Sequence, residues 1–208
     1  FIGGKWVDAI CGKRVKDISP ADIRDVVGSF PDSQSEDVDA AVTAARKAFA
    51  QWRLMPAPKR GEIIIRAGML LQRRKEEIAQ IMTREMGKPL KETRGDIQEG
   101  IDTALCAGSE GRRLFGQTCP SELPDKYCLS MGMPIGVTGI ITPWNFPVAI
   151  PTWKIFPALV CGNTVVFKPA SDTPASAARL VEILVEAGVP GGVVNLVHGT
   201  GANVGMPL

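Results

Sequence analysis

The chain has 208 residues, of which 45% are hydrophobic and 22% charged, a composition that fits one large folded unit and argues against wholesale disorder. With a formal net charge of +2 and basic residues interspersed among acidic ones, it has no nucleic-acid-binding stripe. No apolar run reaches the roughly 18 residues that a membrane span requires, so no membrane partner is expected.

Five cysteines (Cys11, Cys106, Cys119, Cys128, Cys161) without a C-x-x-C spacing fit neither a disulfide framework nor a zinc site. Reduced, mostly buried thiols and a cytoplasmic location are expected. The opening residues Phe1-Ile2-Gly3-Gly4-Lys5-Trp6 show no signal-peptide pattern. With a single histidine, His198, chemistry without a metal is expected.

In chain order, Ser35 reads as the cap of a first helix whose apolar face runs Val38, Ala41, Val42, Ala45, Phe49 and Trp52. After Pro56 and Pro58, Ile63, Ile64, Ala67, Leu70, Leu71, Ile78, Ile81 and Met82 predict a second helical segment that Gly87-Lys88-Pro89 stops. A third, glycine-interrupted helix is predicted over residues 90–114. The charged run Arg73-Arg74-Lys75-Glu76-Glu77 reads as a solvated face. Residues 117–133, with Pro120, Pro124 and Asp125, read as an extended hairpin.

From Pro134 the rhythm changes. Apolar strands are predicted over residues 135–141, 164–167 and 193–197, with helices over 152–160 and 174–187 between them. That alternation predicts an α/β fold: helices packed on a parallel Rossmann-like sheet with right-handed crossovers. Ligands of such sheets collect beyond the carboxyl ends of the strands.

Three loops follow those ends. Thr142-Pro143-Trp144-Asn145-Phe146-Pro147 fixes an asparagine between two prolines. Asn145 can serve there as an oxyanion donor or as a helix cap, and residue types alone leave both open. Lys168-Pro169-Ala170-Ser171 places a lysine that either reaches a dinucleotide or is solvated. His198-Gly199-Thr200-Gly201-Ala202-Asn203-Val204-Gly205 is a G-x-G-x-x-x-G run, one residue wider than the dinucleotide fingerprint and weak by itself. His198 reads as a loop residue, not an acid–base group.

Taken together, these stretches resemble the aldehyde dehydrogenase superfamily. Pro143-Trp144-Asn145-Phe146-Pro147, Trp153-Lys154, Pro157-Ala158-Leu159, Gly162-Asn163-Thr164 and Lys168-Pro169-Ala170 follow its pattern in order and spacing. Ile2-Gly3-Gly4-Lys5-Trp6, Glu85-Met86-Gly87-Lys88-Pro89 and the run Ala187-Gly188-Val189-Pro190-Gly191-Gly192-Val193-Val194-Asn195 resemble it as well. The resemblance implies that Asn145 stabilises an oxyanion and that Lys154 lies near a proton path. Ile141, Thr142, Trp144, Asn145, Lys168, Pro169, Ala170, Ser171 and Gly201 would line an NAD or NADP site. It further implies residues 1–116 as the helical part of the cofactor domain, 117–133 as an oligomerisation hairpin and 134–208 as the dinucleotide-binding part. A small aldehyde substrate and a homo-oligomer, dimer or tetramer, follow from the same likeness.

Two departures carry expectations of their own. Ser171 stands where NAD-using members commonly carry glutamate, which removes a repulsion toward a 2′-phosphate and favours NADP. The family's general-base glutamate and nucleophilic cysteine have no counterpart here, so the sequence reads as the front part of an aldehyde dehydrogenase, inactive when isolated. Gly116-Gln117-Thr118-Cys119 imitates the cysteine motif, but Cys119 precedes Asn145 and Leu114 replaces the expected asparagine. The alternatives are a nucleotide-binding or partner-binding protein without turnover, and an acylating aldehyde dehydrogenase.

Overall fold

The computed structural model describes residues 1–208, and its first regular elements are ones that periodicity does not announce. Arg14–Ile18 (β1) pairs antiparallel with Val26–Pro31 (β2). Asp17 is the one buried residue of the pair, so no apolar alternation marks either strand.

The helix Ser35–Trp52 (α1) follows, but Ser35 is its first helical residue, not its cap. Gln34 takes the cap position. The Asp37 carboxylate accepts its backbone N–H at 2.9 Å and that of Ile10 at 3.0 Å, closing the first turn from within. The segment expected as one long helix divides into Ala57–Arg73 (α2) and Lys75–Met86 (α3), because Arg74 leaves helical geometry at φ −100° and ψ 13°. Gly87 then ends α3 in the left-handed conformation at φ 73°, as its position predicts.

Of the glycines of Leu90–Glu110 (α4), Gly100 and Gly108 are contact points. A Cβ on Gly61 of α2 would fall 2.2 Å from the Gly108 carbonyl oxygen, so the two backbones lie against each other. The expected excursion follows, with Thr118–Pro120 (β3) antiparallel to Tyr127–Leu129 (β4) and every residue of both strands exposed.

Val137–Ile141 (β5), Thr164–Lys168 (β6) and Val194–Leu196 (β7) form a parallel sheet in that order, linked by the helices Ala149–Val160 (α5) and Pro174–Glu186 (α6). β5 starts two residues later than its apolar run, since the buried Asn163 Oδ1 takes the N–H groups of Ile135 (2.7 Å) and Gly136 (3.0 Å).

Alternation within the strands sorts the two faces. Ile140, Val165, Phe167 and Leu196 enter the main core with α2 to α6, whereas Val166 and Val197 pack on Val38, Ala41 and Ala45 of α1. Phe1 pairs with the outer side of β7, donating to the Leu196 carbonyl at 2.9 Å and accepting from its N–H at 2.8 Å.

Two expectations are corrected. All five cysteines are exposed and unbonded, not buried, because they lie at helix ends, on an outer helix face or in hairpin and loop positions. Arg74 does not merely face solvent: it pairs with Glu77 at 2.9 Å and reaches Glu182 (3.7 Å) and Glu186 (3.5 Å) of α6.

Candidate functional site

The loop after β5 is held from three sides. Its first residue, Thr142, is buried and donates its N–H to the Lys168 carbonyl at 3.2 Å, fixing the loop to the end of β6. The Lys88 ammonium, from the link between α3 and α4, donates to the Asn145 carbonyl at 3.0 Å and sits 3.9 Å from the centroid of the Phe146 ring. At the far end, the buried Asp96 of α4 accepts the Ala149 N–H at 2.7 Å and so caps α5 from outside. Burial raises the Asp96 carboxyl to about 6, with the Ala149 hydrogen bond and the nearby Lys88 ammonium acting against that rise.

This arrangement bears on the two roles left open for Asn145. The N-cap of α5 is Val148 and the first turn is served by Asp96, so capping is not what occupies Asn145. Asn145 is exposed, as are its neighbours Trp144 and Ile141, and its amide takes part in none of the side-chain hydrogen bonds of the chain. Lys88 and Asp96 hold this loop, a role that motif reading gave to neither. The Gly87-Lys88-Pro89 stop contained the signal for the first. A carboxylate on the inner face of a helix was the signal for the second.

After β6, Lys168 is buried and its ammonium donates to the Pro169 carbonyl at 2.7 Å. Burial pushes its pKa down, and the Asp172 carboxylate pushes it back up. Pro169 is buried and Ala170 half-buried, while Ser171 is exposed with its hydroxyl donating to the Gly199 carbonyl at 3.2 Å. The far end of this loop is anchored by Glu85, in the last turn of α3. Its buried carboxyl accepts the N–H groups of Ala175 and Ser176 (3.0 Å) and the Ser176 hydroxyl at the start of α6. Burial raises Glu85 to about 8, its hydrogen bonds with Ser176 oppose this, and the Asp17 carboxyl beside it adds to the rise.

After β7, His198 packs against Phe30 with ring centroids 5.2 Å apart, and its Nδ1 has no partner. Burial drives its pKa down to about 3, so the ring is neutral, in accord with a packed loop residue. Gly199 (φ 149°) needs its missing side chain, since a Cβ would lie 2.5 Å from Val204 Cγ2. The Thr200 hydroxyl then accepts the Asn203 N–H at 3.1 Å and opens a single π-helical turn, Gly201–Gly205.

That turn meets the other two loops. A Cβ added at Gly205 would lie 3.7 Å from Lys168 Cδ and 3.8 Å from Ile141 Cδ1, and one added at Gly201 would meet nothing within 4 Å. Ile141, Lys168 and Gly205 therefore lie side by side at the strand ends. The backbone is open at Gly201, and the Lys168 ammonium is partnered by a single carbonyl. These features fit an anionic, extended dinucleotide.

Not every candidate joins them. Lys154 is exposed on α5 and forms no hydrogen bond with Asn145 or Lys168. Two cavities of about 510 and 570 Å³ lie elsewhere, one between β2 and α6 and one between α1 and Pro190–Val193, and neither is lined by the strand-end loops beyond His198.

Comparison with known proteins gives the family. The aldehyde dehydrogenase family model matches residues 6–208. An α-ketoglutaric semialdehyde dehydrogenase of Bacillus subtilis is 46% identical over all of this chain, which covers 43% of that relative. An NADP-dependent succinate-semialdehyde dehydrogenase of Escherichia coli is 41% identical, again over the whole chain and 43% of the relative. Among solved structures, an Escherichia coli NADP-dependent enzyme superposes on 98% of this chain and 42% of its own, with a TM-score of 0.95 and 41% identity. The chain thus spans less than half the length of these relatives and matches their N-terminal portion. With the model matching nearly end to end and the strand-end loops carrying its motifs, the chain belongs to the aldehyde dehydrogenase family.

Proposed function

We propose that the protein to which these residues belong oxidises a small aldehyde to a carboxylate with NAD(P), and that residues 134–208 supply the dinucleotide-binding part. The observation that carries this reading is Asn145: an exposed amide, free of a capping role, on a loop pinned by Lys88 and Asp96 at the end of a parallel strand. A prepositioned amide N–H stabilises the negative charge that grows on an aldehyde oxygen when a nucleophile adds, and rigidity spares the cost of reorienting it. The nucleophile is a thiolate from outside these residues. Cys119 is not it, since it sits on an exposed hairpin strand.

Ile141, Thr142, Trp144 and Lys168 to Ser171 hold the dinucleotide, with Gly201 and Gly205 giving its backbone room. When bound, that group accepts the hydride released from the aldehyde carbon. Lys154 serves a proton path from α5. The relatives named for semialdehydes of short dicarboxylic acids suggest a substrate of that class. Ser171 favours NADP, because its hydroxyl leaves the ribose end without the carboxylate that would repel a 2′-phosphate.

Two substitutions in the active enzyme test the reading. Asn145→Ala is expected to lower kcat about 10²–10³-fold with dinucleotide affinity unchanged. An unaltered kcat would remove Asn145 from the mechanism. Ser171→Glu is expected to weaken NADP binding about tenfold or more while sparing NAD, which fluorescence titration of both dinucleotides reads directly. Equal effects on the two would refute the assigned preference.

A further inference from the structure

The hairpin of residues 117–133 carries a pair of groups that the dehydrogenase chemistry does not use. β3 and β4 pair in a register that sets Cys119 directly opposite Cys128. Directly opposed residues of an antiparallel pair project from the same face of the ladder. Both thiols are exposed and neither is bonded.

The spacing between them follows from the hydrogen-bond pattern. Ser130 donates its N–H to the Gln117 carbonyl at 2.8 Å, which makes Gln117 and Ser130 a hydrogen-bonded pair. Pairs of that kind recur every second position, so Cys119 and Cys128 form the next one, with Cα atoms about 5.5 Å apart. That distance lies within the roughly 4.4–6.8 Å Cα window of disulfides, whereas the Cβ atoms of a hydrogen-bonded pair, about 5.5 Å apart, exceed the roughly 3.5–4.5 Å of a relaxed bond, so closure draws the two strands together and leaves the bond readily reduced.

Cys11, Cys106 and Cys161 have no such partner: Cys11 contacts the Asp32 carbonyl, Cys106 lies on α4, and Cys161 caps α5. The register singles out one pair among five accessible thiols.

We propose that Cys119 and Cys128 are a reversible redox site, closing to a cross-strand disulfide by exchange with a small-molecule disulfide such as oxidised glutathione. In the first step, one cysteine thiolate attacks a glutathione sulfur, forming a mixed disulfide and releasing one glutathione thiolate. In the second, the opposed cysteine thiolate attacks the mixed disulfide at the protein sulfur, forming the Cys119–Cys128 bond and releasing the second glutathione. The two thiols lose two electrons, one glutathione disulfide is reduced to two thiols, and the two protons end on glutathione. An exposed disulfide of this kind is of the labile, regulatory class.

The experiment is equilibration of the chain in buffers of graded oxidised-to-reduced glutathione ratio, followed by acid quench, alkylation and peptide mapping. The expected result is an intramolecular Cys119–Cys128 link that appears at a lower proportion of oxidised glutathione than any adduct on Cys11, Cys106 or Cys161. It should reverse fully on return to reducing buffer. Cys119→Ser and Cys128→Ser, at exposed positions, should each leave the remaining partner with one stable glutathione adduct. Independent glutathionylation of Cys119 and Cys128 in the unsubstituted chain overturns the proposal, as does a link found only between chains.

Discussion

Lys88 shows how much one side chain can settle. Its ammonium holds the Asn145 carbonyl and lies over the Phe146 ring, and the Asp96 carboxylate lies close enough to feel its charge. Replacing it with methionine keeps the stem but removes the ion and its donor. In the active enzyme, Lys88→Met is expected to lower kcat about tenfold, the value of one charge-assisted hydrogen bond, with dinucleotide affinity retained. Lys88→Arg should recover part of the loss, and stopped-flow measurement of hydride transfer separates this from a folding defect. Motif reading found Asn145 because two prolines bracket it in the sequence. It gave Lys88, quoted only within the Glu85–Pro89 run, and Asp96 no role because a long-range hydrogen bond leaves no local trace: 57 and 53 residues separate them from the groups they hold. His198, by contrast, was legible as a loop residue without an acid–base role, since no orienting partner accompanied it, but its burial was not.

At the level of helices and strands, legibility followed burial on one face. α1, α2, α5, α6 and the parallel strands announce themselves through spacing, because each sets an apolar stripe or run into the cores described above. β1 and β2 do not, since almost all their side chains face solvent or partial cover. The break at Arg74 was invisible for another reason. Apolar periodicity resumes in phase beyond it, and the α6 carboxylates that Arg74 reaches lie far along the chain. Two of the glycines that interrupt the pattern of α4, Gly100 and Gly108, are the means of close packing. Gly61→Ala is therefore expected to destabilise the fold by about 1–3 kcal/mol despite alanine's better helix propensity, as its Cβ would strike the Gly108 carbonyl. Urea unfolding of the variant checks this, and an unchanged midpoint would mean that α2 and α4 separate without cost.

For the molecule as a whole, the hairpin of residues 117–133 is the least self-contained part. Tyr127 is 94% exposed and Leu129, Met131 and Met133 are each more than 60% exposed, an apolar strip that a monomer does not cover. Self-association through it is the proposed role, and a double substitution tests that role. Tyr127→Glu with Leu129→Glu is expected to lower the oligomer mass by at least half in light scattering, with far-ultraviolet circular dichroism preserved. An unchanged mass would place the subunit contacts elsewhere.

The turn that follows β7 closes with the Met206 N–H on the Gly201 carbonyl at 2.8 Å, five residues back instead of four. That wider winding is the conformational meaning of the extra residue in the G-x-G-x-x-x-G run. Deleting Ala202 would restore the usual fingerprint spacing and the usual winding together, yet it would swing the last glycine by roughly 100° about the axis of the turn. Gly205 would then leave the side chains of Lys168 and Ile141, and a bulkier surface would take its place. A departure that weakens the motif on paper is thus what brings a bare backbone beside Lys168 and Ile141.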